Sequence, residues 1–205
     1  MTAAPTPPDR RIVRTREALR GALLELIHEK GYDAISVNDL VGRANVARST
    51  FYAHHGGKES VLLDSIGMLR EFLAEAQRNA RATQNDPADP LGFTLPFFEH
   101  LDESRELSRI LTGSGAAALV NTTFRQMFDR LIRRGLIEAA DPKRKAGAVP
   151  LDAMVRFTTD AFMGVLAWWI DVKPRLSPQE GNRVFRHLID PVLAGNGYLK
   201  ISANR

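Results

Sequence analysis

Residues 36–62, SVNDLVGRANVARSTFYAHHGGKESVL, decide the fold of this chain. They contain two short helical patterns separated by a tight turn. The hydroxyl of Ser36 is placed to cap the first helix, and Asp39 is placed to bond back to the Ser36 N–H, which is the pattern of a capping box. Gly42 begins a short stretch that permits a sharp change of direction before Val46. Together these features predict a helix-turn-helix.

The second helix of this pair has an unusual outward surface. Phe51 and Val46 are the apolar residues that would hold it against the first helix. At ~100° per residue, turning Phe51 inward turns Ser49, Thr50 and Tyr52 outward. These side chains are short or can form hydrogen bonds, as a helix needs if it lies close to base edges in a major groove ~12 Å wide. The pattern favours a helix that reads DNA.

Residues 15–63 resemble the N-terminal DNA-binding domain of TetR-type transcriptional regulators. In that family the helix-turn-helix is followed by the signature Tyr-x-His-aromatic-x-x-Lys-Glu-x-Leu. Residues 52–61 of this chain read YAHHGGKESV, and the pair at 31–32 and the helix start at Ser36 also match. The resemblance covers about a quarter of the chain and implies a three-helix DNA-binding domain.

Two positions depart from the family pattern. His55 stands where the family usually has Phe or another apolar residue, and glycines at 56–57 replace a more polar pair. A looser junction between the recognition helix and the next helix is therefore expected. The predicted contacts to bases or nearby phosphates are Arg48, Ser49 and Thr50, those to phosphates are Tyr52, His54 and Lys58, and Ser36 and Asn38 complete the predicted DNA-binding surface.

The composition is that of a folded protein, and the lack of cysteine fits a reducing compartment. A chain of 205 residues with 44% hydrophobic content can bury a substantial core. The absence of cysteine excludes disulfides, thiolate zinc sites and a cysteine nucleophile. The sequence shows neither a secretory signal nor a run of ~18 apolar residues. We expect a soluble cytoplasmic protein without a membrane partner.

The net charge of +4 suits an anionic partner. Residues 1–60, however, carry 9 Lys and Arg against 7 Asp and Glu, a difference of only +2. Charge by itself therefore does not locate the DNA-binding end of the chain.

No pattern in the sequence predicts catalysis, a metal or a cofactor. The five histidines are scattered, and His54 and His55 are neighbours rather than an i, i+4 pair of ligands. Residues 113–115, Gly-Ser-Gly, lack the Gly-Lys-Ser/Thr of a phosphate loop and do not fit the Gly-x-Ser-x-Gly of hydrolases. We interpret this tripeptide as a break between helices, and we do not expect an enzyme.

Nearly every segment reads as helix, so the predicted fold is all-α. Gly31 is a candidate C-terminal cap, a helix is expected to break or kink near Pro96, and the last helix is expected to kink or end at Pro191. The predicted divisions are a flexible N-terminal arm at 1–9, a helix-turn-helix domain at 10–57, a helical regulatory and dimerisation domain at 58–195, and a C-terminal tail at 196–205.

The last two helices indicate self-association. Apolar residues between 154 and 170 form two stripes, and a helix so widely apolar must be covered on two sides. Ser177 to Glu180 form a capping box that starts another helix, with proline at its first position. In the resembled family the final two helices of each protomer form a four-helix dimer interface. The dimer contacts predicted here are Val165, Trp168, Val184, Phe185 and Leu188.

Aromatic and methionine residues in the C-terminal half either form the core or line an effector cavity. His100 follows Phe97 by three residues, which places both on one helical face. A polar group among aromatic rings can orient a small apolar ligand, although a histidine in the core is an equally good interpretation. The candidate ligand-binding residues are Phe97, His100, Phe124, Met127 and Phe162.

These patterns predict a homodimeric, ligand-responsive repressor that binds a near-palindromic operator in double-stranded DNA and is released by a small apolar effector. Two alternatives stay open. The first is an activator, or a regulator of the same family controlled by a protein partner. The second is an all-helical enzyme or lipophilic-ligand carrier that uses its helix-turn-helix only structurally. The lack of a nucleophile-base motif disfavours the enzyme, and Tyr52 with Lys58 disfavours the carrier.

Overall fold

The structure is a computed structural model that describes residues 10–83, 89–141 and 149–199. Within these ranges it contains nine α-helices and no β-strand, which confirms the all-α prediction. None of the helices in the described ranges is long and apolar enough to span a membrane. The predicted arm at 1–9 and residues 200–205 of the predicted tail lie outside the described residues. The helices are α1 (Arg10–Lys30), α2 (Val37–Arg43), α3 (Arg48–His54), α4 (Lys58–Thr83), α5 (Thr94–Glu103), α6 (Arg105–Thr112), α7 (Ala117–Ala139), α8 (Leu151–Asp171) and α9 (Pro178–Gly195).

Of the described residues, the first compact unit comprises 10–68 and 106–120. Its core is an apolar stripe of α1, in which Leu19, Leu23 and Ile27 recur every fourth residue and are fully buried. Gly31 ends α1 with a φ of +75°, in the left-handed region that glycine adopts without steric cost, as predicted. The helix-turn-helix therefore rests on α1 as its scaffold.

Of the described residues, the second compact unit comprises 69–83, 89–105, 121–141 and 149–199. Helix α9 packs against both α5 and α8. The core of this unit is an aromatic cluster whose neighbouring ring centroids lie between 4.8 and 6.0 Å apart, mostly edge to face. Such pairs each add ~0.5–1.5 kcal/mol beyond their area burial. The cluster consists of Phe93, Phe97, Phe98, Phe124, Phe128, Phe162, Trp169 and Phe185.

These units differ from the divisions expected from the sequence. The first unit includes α4 as far as Met68, because Val61 and Leu62 are buried. It also includes α6 and the first residues of α7. One polar contact made by this later segment is a hydrogen bond between Asp33 and Gly115. Contacts between residues so far apart in the chain leave no periodic signal in the sequence.

Neither Pro96 nor Pro191 ends a helix, and the kink predicted at Pro191 stays a prediction. Pro96 lies in the first turn of α5, where backbone N–H groups have no partner within the helix, so it breaks nothing. The break falls instead at Ser104, which separates α5 from α6. Pro191 does not end α9, which continues to Gly195 because Leu193 in the following residues is fully buried. The predicted break at 113–115 is confirmed between α6 and α7.

Candidate DNA-binding surface and regulatory core

The predicted capping box of α2 is present. The Asp39 N–H donates to Ser36 Oγ at 3.2 Å, and the Ser36 N–H donates to Asp39 Oδ2 at 2.8 Å. Lys30 Nζ lies 2.8 Å from the same carboxylate oxygen. The hydrogen bonds from Lys30 and from Ser36 hold the pKa of Asp39 well below its usual range. The cap fixes the start of α2, while Ser36 and Asn38 stay exposed at the predicted DNA-binding surface.

The recognition helix α3 presents its predicted outward side to solvent. Phe51 is fully buried and anchors the helix, whereas Tyr52 is 51% exposed. Arg48 and Ser49 are also exposed, and the Arg48 guanidinium carbon lies 5.8 Å from the centroid of the Tyr52 ring. The two remaining predicted contacts on this helix, Thr50 and His54, are half-buried. The geometry matches a helix aimed outward, and the DNA contacts themselves stay predictions.

The turn before α3 uses a residue that sequence analysis did not single out. Asn45 adopts a φ of +52°, which is unusual for a residue other than glycine and is tolerated best by Asn and Asp. The Val46 N–H donates to the Val41 carbonyl at 3.0 Å and closes the turn. This conformation changes the direction of the chain between α2 and α3.

A charged clamp between α1 and α2 was also not anticipated. Arg43 donates two hydrogen bonds to Glu29, each at 2.7 Å, and one to Glu25 at 3.0 Å. The hydrogen bond from Arg43 lowers the pKa of Glu29. Because the two acids are four residues apart on α1, a single arginine reaches both. The clamp fixes the angle at which α2 leaves α1.

Lys58 has a structural role in addition to the predicted phosphate contact. Its ammonium group donates to the carbonyl oxygens of Tyr32, Asp33 and Ile35, at 2.9, 3.2 and 3.0 Å. It also lies 4.5 Å from the centroid of the Tyr32 ring, and burial raises the pKa of that tyrosine to about 12. The three N–H donors of the Lys58 ammonium group thus bond to three carbonyls of the turn between α1 and α2. The phosphate contact of Lys58 stays a prediction.

The predicted ligand residues lie in or beside the aromatic cluster. Phe97 contacts Phe124 and Phe162 at ring-centroid distances of 5.6 and 5.9 Å, and Met127 is buried. His100 is half-buried, and burial lowers its pKa against the opposing charge of Glu103. In this arrangement the rings pack against one another as core. A ligand that binds among them must separate some of these rings.

Polar side chains buried in the second unit were missed because they carry no sequence signal. The Gln77 amide donates to the Pro90 carbonyl at 2.7 Å and accepts from the Phe93 N–H at 2.9 Å. The hydroxyl oxygen of Thr158 is buried without a hydrogen-bond partner in the described part of the chain. Such a group is uncommon in folded proteins and requires an explanation such as a bound molecule or water.

A second buried polar group, the guanidinium of Arg105, lies at the C-terminal end of α8. The Arg105 guanidinium lies 4.0 Å from the Trp169 ring centroid and donates to the carbonyls of Trp169 and Ile170 at 3.3 and 3.0 Å. These carbonyls belong to the last turn of α8, where no later N–H of the helix reaches them. Arg105 therefore acts as a C-terminal cap for α8.

Exposed apolar residues occupy the outer side of α8 and α9. Trp168 and Leu188 are 45% and 59% exposed, and Phe157, on the apolar stripe predicted between 154 and 170, is 53% exposed. Val165 on α8 and Val184 on α9 are half-buried. These five residues are called the apolar face below.

Phe185 is not part of the apolar face, and its predicted place at the dimer interface is wrong. It is fully buried, with its ring centroid 4.8 Å from that of Phe162. Helix α9 turns one i, i+4 stripe inward, which includes Phe185 and Ile189. Leu188 lies outside that stripe. Two apolar residues three positions apart on α9 therefore have different surroundings: Phe185 lies in the core and Leu188 faces solvent.

Comparisons with known proteins agree with this architecture. Residues 19–64 match the family model described as bacterial regulatory proteins, tetR family, and residues 89–191 match one described as transcriptional regulator C-terminal region. The HTH-type transcriptional regulator EthR of Mycolicibacterium smegmatis (strain ATCC 700084 / mc(2)155) is 26% identical over 197 residues, covering 89% of this chain and 90% of that protein.

Two further proteins are similar to this chain, one over a short segment and the other over nearly the whole chain. The HTH-type transcriptional regulator YxbF of Bacillus subtilis (strain 168) is 47% identical over 55 residues, which are 26% of this chain but only 14% of that protein. The crystal structure of Thermus thermophilus FadR, a TetR family repressor in complex with lauroyl-CoA, superposes with a TM-score of 0.59 at 21% identity. That superposition covers 93% of this chain and 98% of that one, and it shows a shared fold.

Proposed function

Because the chain belongs to the TetR family of transcriptional regulators, we propose that it is a ligand-responsive repressor that binds a near-palindromic operator as a homodimer. The family makes it a regulator of transcription rather than an enzyme. The observation that carries the proposal is the outward side of α3, where Arg48, Ser49 and Tyr52 are exposed above the buried Phe51.

In this proposal, side chains at the start of α3 contact the bases directly. A guanidinium such as that of Arg48 can donate two hydrogen bonds to the O6 and N7 atoms of guanine in the major groove. Thr50 and Ser49 have hydroxyls short enough to reach base edges or adjacent phosphates. Tyr52, His54 and Lys58 position the protein on phosphates, and such contacts bind all sequences alike.

The apolar face supports dimerisation. Trp168, Leu188 and Phe157 are large exposed side chains on two helices that pack against each other, and exposed apolar surface that is contiguous marks interaction sites. Covering such surface stabilises an assembly by ~25 cal/mol per Å² of apolar area removed from water. A twofold axis through this face makes an isologous dimer. Its two α3 helices would read half-sites about one helical turn or a little more apart.

The effector is proposed to be a small, mainly apolar molecule that binds among the residues of the aromatic cluster. The fold is shared with a family repressor solved in complex with lauroyl-CoA, whose acyl chain is apolar. Phe97, Phe124, Phe162 and Met127 offer an apolar lining, and His100 is a half-buried polar group on the same helix as Phe97. A ligand that separates these rings favours a different arrangement of the helices.

Selection of duplexes from a random pool tests DNA recognition. The wild-type protein should enrich one near-palindromic sequence and bind it less tightly as salt rises. Arg48→Ala should relax the selected sequence at one position, a loss of ~1–3 kcal/mol of discrimination. Arg70→Ala is the matched control, because Arg70 is exposed on α4 and pairs with Glu71. An Arg48→Ala protein with unchanged selection contradicts the assignment of base reading to Arg48.

Titration of apolar compounds with and without the selected duplex tests the regulatory part. A tenfold loss of DNA affinity requires ~1.4 kcal/mol of coupling, and DNA must weaken that compound by the same factor. Placing the selected duplex upstream of a reporter gene then distinguishes repression from activation. Compounds that bind equally well with and without DNA contradict the effector proposal and leave DNA binding intact.

A further inference from the structure

His55 ends the recognition helix at the position where the family pattern has an apolar residue. Its backbone N–H donates to the Phe51 carbonyl at 2.8 Å, and its ring centroid lies 5.7 Å from that of Phe51. The side chain is only 2% exposed. An ionisable ring thus occupies the packed junction between α3 and α4.

The imidazole faces a carboxylate on α4 without bonding to it. His55 Nε2 lies 3.8 Å from Asp64 Oδ2, and both atoms are buried without a hydrogen-bond partner in the described residues. This distance is too long for a hydrogen bond. At this separation their electrostatic interaction depends on the proton carried by His55.

The charges around His55 come from three helices. Burial is the largest influence and lowers the pKa of His55, as do the positive charges of Arg16 and Arg20 on α1 and of His54 on α3. The carboxylate of Asp64 on α4 raises it. Asp64 Oδ2 is also 3.8 Å from Arg16, so its charge is shared. The balance disfavours a charged imidazole in this packing.

We propose that His55 is a positioning residue for the recognition helix, and that its protonation loosens the α3–α4 junction and weakens DNA binding. The neutral ring packs against Phe51 beside Asp64. Burial penalises the charged ring more than Asp64 favours it, so the charged ring favours arrangements in which the end of α3 has moved toward water. The effect on DNA rests on the proposed function, whereas the effect on the junction does not.

The sign of the pH dependence follows from linkage. The folded chain holds the pKa of His55 below its ordinary value of about 6.5, so the unfolded chain binds the proton more readily. The contribution of neutral His55 to stability is present above that value. It is lost as the pH falls through the pKa of the folded state.

Titration of the histidine ring signals by NMR in the full chain tests the junction without DNA. In the wild type, His55 should titrate below the ordinary histidine range. Asp64→Asn should lower its midpoint further, because a carboxylate that favours the cation is removed, while Arg16→Gln should raise it. If His55 titrates in the ordinary range and neither variant moves it, the proposal is overturned.

Affinity for the selected duplex at about pH 7.5 and about pH 5.5, either side of the ordinary histidine value, tests the effect on DNA. Affinity should fall on acidification in the wild type, and His55→Phe should lose at least half of that fall. His28→Gln, a change at an exposed histidine of α1, should keep it.

Equal pH dependence in the wild type and in His55→Phe overturns the positioning role. If the phenylalanine variant does not fold, Asp64→Asn replaces it and should shift the pH at which affinity falls; an unmoved profile then counts against the proposal. Failure of every protein to select a duplex rejects the proposed function instead, and the NMR titration still decides whether protonation of His55 acts on the junction.

Discussion

The backbone N–H of Gly115 donates to the carboxylate of Asp33, at 3.0 Å from Oδ1 and 3.1 Å from Oδ2. Asp33 lies in the turn between α1 and α2, and Gly115 lies in the turn between α6 and α7. Lys58 holds the first of these turns through three backbone carbonyls. The α6–α7 turn is therefore attached to the same short segment that sets the start of α4.

Loss of this hydrogen bond should lower the free energy of unfolding by about 1 kcal/mol, the usual net worth of such a bond. Asp33→Ala removes the acceptor, and Asp33→Asn keeps one carbonyl oxygen as a control. A Cβ at Gly115 would lie 2.9 Å from Asp33 Oδ1, so Gly115→Ala should displace the carboxylate. Chemical denaturation of the single and double variants measures the coupling, and fully additive losses contradict the direct interaction.

Lys58→Met should destabilise the first unit even without DNA. The variant keeps much of the side-chain length and leaves the carbonyls of Tyr32, Asp33 and Ile35 without their donor, a loss of about 1.5–3 kcal/mol. Thermal unfolding measures this loss, and Lys30→Met, which removes a lysine from a side-chain salt bridge, is the comparison. A phosphate contact adds a separate effect: the salt slope of DNA binding should fall by about one. Unchanged unfolding argues that the three carbonyls do not depend on Lys58.

Phe185 and Leu188 should respond differently to substitution. Leu188→Glu places a charge in the apolar face and should produce a folded monomer with reduced operator affinity. Phe185→Ala removes a ring from the core and should cost about 3–5 kcal/mol of stability. Analytical ultracentrifugation and denaturation separate the two effects. A wild-type monomer at micromolar concentration would falsify the proposed dimer.

The capping box of α2 should give a stability difference that depends on pH. The pKa of Asp39 is lower in the folded chain than in the unfolded one, because Lys30 and Ser36 bind its charged form. Its contribution is present above the ordinary carboxyl value of about 3.9 and is lost as the pH falls through the folded-state pKa. Asp39→Asn should therefore lower stability at neutral pH, by an amount that shrinks below about pH 4.

Denaturation of Asp39→Asn and wild type across this range measures that difference. Glu71→Gln, at an exposed carboxylate paired with a neighbouring residue in the chain, is the control. A difference that stays constant from neutral to acidic pH contradicts the role of the charged cap.

The sequence by itself determined the local features of this protein. Ser36 with Asp39 and Ser177 with Glu180 predicted the starts of α2 and α9, and both capping boxes are present. Gly31 predicted the end of α1. These features depend on residues within a few positions of one another, so their hydrogen bonds and backbone angles follow from local geometry. The signature at 52–61 predicted the family in the same way.

The side of each helix that is covered, and the distant groups that meet, depend on how the helices pack. Phe185 and Leu188 are both apolar, and periodicity could not tell that one packs on Phe162 while the other is exposed. In the sequence, Lys58 is simply a cation that could contact a phosphate. In the folded chain, its ammonium group donates hydrogen bonds to carbonyls of the turn after α1. Burial and long-range hydrogen bonds depend on the packing of helices far apart in the chain, and a local sequence pattern carries no record of that packing.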